Sequence, residues 1–132
     1  MSSVKHWLKI LLGVAFVLAG VNHFRDPTFY IKIMPDYIPA HAFMVYASGV
    51  TEILAGLLLL YPKTTRWGAW AILGHLLIFF TVHIWMIQHA ERFKPAPLWA
   101  LWVRLAFQFV FLAWAGWYLK EPSQPANQES LA

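Results

Sequence analysis

The 132-residue chain contains no cysteine. That excludes a disulfide framework, a CxxC redox pair, an iron–sulfur site and a thiolate-bound metal within it. Charge is scarce as well: 12% of residues are Asp, Glu, Lys or Arg, where an average soluble domain carries about 25%. The net charge is +4, but the basic residues stand singly along the chain. They form no nucleic-acid patch and read as interfacial anchors and lipid-headgroup partners. The N-terminal stretch MSSVKHWLKILLGVAFVLAGVNHF begins like a signal peptide but lacks a small-x-small cleavage site at its end, so it is expected to be a retained spanning helix.

What the chain has in excess is apolar surface. Hydrophobic residues make up 60% and aromatic residues 17% of it, a composition of integral membrane proteins. A helix needs about 20 mostly apolar residues to cross a bilayer. Four segments qualify, at about 5–24, 43–61, 66–88 and 98–119, and predict an all-α, integral membrane four-helix bundle over 1–119. Proline marks the breaks: Pro27, Pro35 and Pro39 after the first span, Pro62 after the second, Pro95 and Pro97 before the fourth. The segment RDPTFYIKIMPDYIPAHAF between the first two spans is too short and too polar to cross. Its mixture of apolar and charged residues predicts a short interfacial or re-entrant piece. The tail from residue 120, KEPSQPANQESLA, is expected to be disordered.

Inside these spans a few polar side chains need partners, because an ionised group at a bilayer centre costs roughly 2.5 to 3.5 kcal/mol on insertion scales. At about 1.5 Å of rise per residue, Glu52 lies about 13 Å from the face carrying the proline-rich loop, Arg104 about 9 Å, Gln108 about 15 Å and His83 about 7 Å, with His23 near the mouth. Helical faces agree with convergence. Gly49, Glu52 and Gly56 share a face, Arg104 and Gln108 are four apart, and Gly13, Phe16, Gly20 and His23 form a stripe on the first span. Small residues beside Glu52 let a neighbouring helix come close. The simplest expectation pairs Glu52 with Arg104, with Gln108, His83 or His23 completing the hydrogen bonds. The candidate site or buried polar cluster is therefore His23, Glu52, His83, Arg104 and Gln108.

The run GVNHFRDPTFYIKIMPDYIPAHAFMVYASGVTEILAGLLLL, with its His-Phe pair, spaced prolines and Ser-Gly-x-x-Glu, resembles the DoxX-like membrane proteins, and LWVRLAFQFVFLAW resembles their fourth helix. The resemblance covers roughly residues 10–118. It implies a four-helix bundle and importance for His23, Pro35, Pro39, Ser48, Gly49, Glu52, Arg104 and Gln108. Members and relatives are linked to thiosulfate-to-quinone oxidoreduction, to oxidative-stress defence and to amine dehydrogenase maturation. Two departures stand out: His83 replaces the usual asparagine, and Ala106 and Phe107 stand between Arg104 and Gln108 where a proline is common.

Several chemistries compete for these residues. A structural ion pair would only fix helix register. A metal site of His23, His75 or His83 with Glu52 has suitable ligand types, but no two of these histidines show the tight i, i+4 spacing, and none is assigned. A quinone or similar small ligand would sit among Phe79, Phe80, Trp85, Phe107 and Phe111, with Glu52, Arg104, Gln108 or a histidine bonding its carbonyl. Proton or solute transport is disfavoured by four spans without an internal repeat. The expectation is an accessory or quinone-interacting subunit of a membrane redox system, with the lipid bilayer and a membrane or soluble redox protein as partners. The competing expectation is a scaffolding subunit whose polar cluster fixes packing. The expected location is the bacterial cytoplasmic membrane, with both termini in the cytoplasm on a five-to-four count of flanking basic residues.

Overall fold

The computed structural model describes residues 2–121, and these contain helices and turns but no strand. Five α-helices occur in the order α1 (Ser3–Arg25), α2 (Pro27–Ile33), α3 (His41–Leu60), α4 (Thr65–Gln88) and α5 (Leu98–Gly116), with a short 3-10 turn over Ala90–Phe93. The four long ones, of 19 to 24 residues, are long and apolar enough to cross a membrane. The fourth stops three residues short of the expected 119, because the chain turns over 117–120 instead of continuing as a helix. The tail predicted beyond that point lies, after residue 121, outside the described residues.

Local chemistry accounts for the helix limits. The Ser2 hydroxyl accepts the Lys5 N–H and caps α1. The Asp26 carboxylate accepts the Phe29 N–H at the start of α2, where Pro27 occupies the first position, the one at which a missing N–H does no harm. The interfacial segment predicted between the first two spans is thus built on a two-turn helix. Its continuation, residues 34–40, is fastened to the end of α4 and the 3-10 turn after it: Arg92 Nη1 reaches Asp36 at 2.7 Å, and Tyr37 meets Trp85 edge to face at 5.5 Å. Ala40 takes a left-handed backbone conformation (φ 50°), and His41 Nε2 donates back to the Pro35 carbonyl at 3.2 Å. At the α3–α4 corner, Thr64 and Thr65 donate their hydroxyls to the carbonyls of Leu58 and Leu59, at 2.7 and 3.1 Å. These carbonyls belong to the last turn of α3, where the helix supplies no partner of its own.

Packing follows the small residues. On α1, Gly13, Phe16, Gly20 and His23 are all buried, and on α3 so are Gly49, Glu52 and Gly56. The two helices run antiparallel with Gly13 opposite Gly56 and Gly20 opposite Gly49. A Cβ on Gly56 would lie 2.6 Å from the Gly13 carbonyl oxygen, and one on Gly20 would lie 2.6 Å from that of Gly49. Backbone touches backbone along this seam, the arrangement that gives strong van der Waals contact where lipid removes any hydrophobic drive. Beyond it, α4 packs on α3 and α5 packs on α4, whereas α1 and α5 share no extended seam. Their ends are joined instead: the Tyr118 hydroxyl donates to the Lys5 carbonyl at 2.9 Å, and the Lys5 ammonium pairs with Glu121.

The apolar interior has two layers. One contains Leu12, Phe16, Leu59, Ile72, Ala115 and Tyr118 at the end where α1 begins and α5 finishes. The other contains Ile33, Met86, Phe93 and Leu101 beneath α2. The polar side chains singled out above fall between these layers on the four long helices.

Candidate functional site

Glu52 sits between Gly49 and Gly56, on the face of α3 that the glycine seam presses toward α1. Its side chain is 5% exposed, and Oε2 lies 3.2 Å from Nδ1 of His23. That contact does not satisfy it. His23 Nδ1 is 2.8 Å from the carbonyl of Ala19 one turn earlier, and a carbonyl can only accept, so the Nδ1 hydrogen is committed there. Oε2 of Glu52 consequently has no hydrogen-bond donor. The His23 ring stacks on Tyr30 of α2 at 3.9 Å and 15°, and Asn22 Nδ2 donates to the Tyr30 hydroxyl at 2.8 Å. The last turn of α1 and the interfacial helix are thereby joined above the carboxylate.

The expected Glu52–Arg104 ion pair is not formed: no nitrogen of Arg104 comes within 4.0 Å of a Glu52 oxygen. The guanidinium instead donates to the thioether of Met86, at 3.2 Å, which is a weak acceptor for a full charge. The reason is topological. Helix α5 packs on α4, while α3 turns the face bearing Glu52 toward α1, so equal depth does not bring the two residues together. Between them lies a cavity of about 160 Å³, with Glu52 and His23 on one wall and Arg104 and His83 on another. Tyr30, Ile33 and Met34 close it on the side of α2, and Phe79, Val82 and Val45 supply apolar surface.

The other predicted residues divide. Gln108 is buried, but its amide donates to the Leu76 carbonyl at 3.1 Å, and it stands beside His83 rather than on the cavity wall. Ser48 lines the cavity with its hydroxyl bonded to the Val45 carbonyl. Pro35 is buried and Pro39 exposed in the loop ahead of α3. Of the five aromatic residues expected around a ligand, Phe79 alone lines the cavity. Phe80 packs on Phe109, Trp85 stacks on His89, Phe107 is exposed, and Phe111 joins the first apolar layer. His75 lies apart from the cavity, donating to the Ala71 carbonyl and meeting the Thr51 hydroxyl at 2.8 Å. Among the described residues no group of three or more His, Cys, Asp or Glu side chains is placed to hold a metal ion.

Sequence reasoning missed Tyr30, Ile33 and Met34. The signal was the i, i+3 spacing of Tyr30 and Ile33 behind an Asp-Pro helix start, which gives α2 an apolar face to lay over the bundle.

A chain with a partly open cavity between membrane helices invites comparison with known proteins. Residues 12–119 match a family described as a domain of unknown function, DUF8561. The chain belongs to this family. The matched region takes in every residue of the cavity wall. No curated protein and no solved structure matches the chain.

Proposed function

We propose that this protein binds the ring of a quinone in the cavity between its helices and serves as an accessory subunit of a membrane redox system. The observation that carries the reading is a buried Glu52 carboxyl oxygen without a hydrogen-bond partner on one wall, with a half-buried guanidinium bonded to the Met86 thioether on another. Natural structures leave few buried polar groups unsatisfied, and the exceptions tend to be functional. The volume suits a single ring, since an apolar cavity of about 150 Å³ takes up benzene. Apolar walls with a few convergent polar groups are also what ligand sites between bundle helices offer. The resemblance to DoxX-like proteins adds the redox association. Having no cysteine, the chain would receive electrons from a partner protein or from the quinone pool. We place it in the bacterial cytoplasmic membrane with both ends in the cytoplasm.

A scaffolding role is the second reading. Gln108 favours it, because that side chain is buried, donates to the Leu76 carbonyl of α4 and bonds to the His83 side chain. Extraction of the full chain in mild detergent, followed by mass spectrometry of bound small molecules, separates the two. Quinone that copurifies with the wild type and is lost from Arg104→Met supports the ligand site. Its absence, together with a reproducible protein partner, supports the scaffold.

A further inference from the structure

We infer that the groove between α1 and α5 holds a long isoprenoid chain attached to the ring in the cavity, so that the site takes a prenylated quinone with its ring inside and its tail along the flank of the bundle. This rests on the reading above that the occupant is a quinone ring, and it goes further by naming the class of quinone and the course of its chain.

The course follows from which helices close on each other. Seams join α1 to α3, α3 to α4 and α4 to α5, and Tyr30, Ile33 and Met34 cover the cavity on the side of α2. The α1–α5 flank is the side of the four long helices without an extended seam. The partly open cavity reaches that flank with Ala19 of α1 and Arg104 of α5. A ring in about 160 Å³ leaves no room for a long chain, so the chain must run out of the cavity. At 1.5 Å of rise per residue, a second and shallow groove begins at Val110, about 9 Å along α5 from Arg104. It has a volume of about 350 Å³ and runs past Ala113 and Trp114 to Trp117, with Leu8 of α1 on its other side. On α5, Val103, Phe107, Val110, Trp114 and Trp117 recur at spacings of four and three, which puts them on one helix face. Phe107, exposed outside the cavity, therefore continues the apolar face of the groove up to the ring site. The bond from the Tyr118 hydroxyl to the Lys5 carbonyl joins α1 to α5 at the far end. Bilayer lipid has chains as apolar as this groove. A chain tethered to a bound ring enters the groove as an intramolecular event, and that gives it the advantage over free lipid.

The test compares the affinity of the full chain in lipid nanodiscs for duroquinone and for its analogue in which one methyl is replaced by a geranylgeranyl chain. Each is measured for the wild type and for Ala113→Trp, so that partition of the chain into lipid cancels between the two proteins. Ala113 is exposed on the groove and off the cavity wall, and a tryptophan there fills the groove without touching the ring site. The expected result is binding of the tailed analogue weakened about fivefold or more, with duroquinone affinity unchanged. Val110→Trp, at a second exposed position on the groove, should act alike and serves if Ala113→Trp fails to fold. Unchanged affinity for the tailed analogue would mean that bilayer lipid alone covers the groove, and would overturn the inference while leaving the quinone-ring reading in place. Equal losses for the two compounds would overturn it as well. Binding of neither compound to the wild type would overturn both.

Discussion

The glycine seam and the cavity beside it are made by the same two helices, and they obey opposite rules. Along the seam, Gly13, Gly20, Gly49 and Gly56 bring backbone against backbone with no polar side chain involved. On the same stripes, His23 one turn beyond Gly20 and Glu52 between Gly49 and Gly56 turn toward a void, where a carboxyl oxygen is left without a partner. In lipid, where apolar contact between helices competes with equally apolar tails, close approach supplies the stability. The polar groups are then not needed to hold the bundle together. A protein that needed Glu52 and Arg104 for packing would have closed the gap between them.

This contrast can be broken most severely at the seam. Gly56→Leu places its first side-chain carbon 2.6 Å from the Gly13 carbonyl, so α1 must move away. The expected loss is about 3 kcal/mol or more of stability, visible as a collapse of the unfolding temperature or of the folded peak in size-exclusion chromatography. At the border between the two regions, Tyr30→Leu removes the stack on His23 and the bond from Asn22. It should lower stability by about 1–2 kcal/mol and weaken ring binding, which paired unfolding and titration experiments would measure. Gln108→Leu removes one hydrogen bond to Leu76, a carbonyl already within the α4 ladder. It also removes the bond to His83 on the cavity wall, so the expected effect is about 1–2 kcal/mol of stability, with quinone still copurifying because Gln108 itself does not line the cavity.

Much of this was legible in the sequence, for reasons that vary by residue. The spans follow from apolar length and the breaks from proline, both local properties. The inward stripes of α1 and α3 follow from helical period, and the small residues in them point to the partner face. Depth counting correctly put Glu52 and Arg104 in one half of the bundle. It failed on their pairing, because depth says nothing about which helix lies beside which, and α5 packs chiefly on α4. The aromatic residues misled for a related reason. Rings in a lipid-facing helix are plentiful, and position on the helix face, not residue type, brought Phe79 to the cavity and left Phe107 outside. Helix α2 was expected as an interfacial piece from composition. Its part in closing the site depends on the turn at Asp26–Pro27 and on the Asp36–Arg92 tie, which joins residues far apart in the chain.

The central claim is that the polar groups around the cavity await a ligand and do not fasten the helices. The unfolding temperature of ligand-free Arg104→Met in detergent tests it most directly. Methionine fills similar space without bringing a charge that lacks a counterion, so the account predicts a temperature equal to or above that of the wild type. A fall approaching that of Gly56→Leu would mean that Arg104 holds the bundle together, and would contradict it.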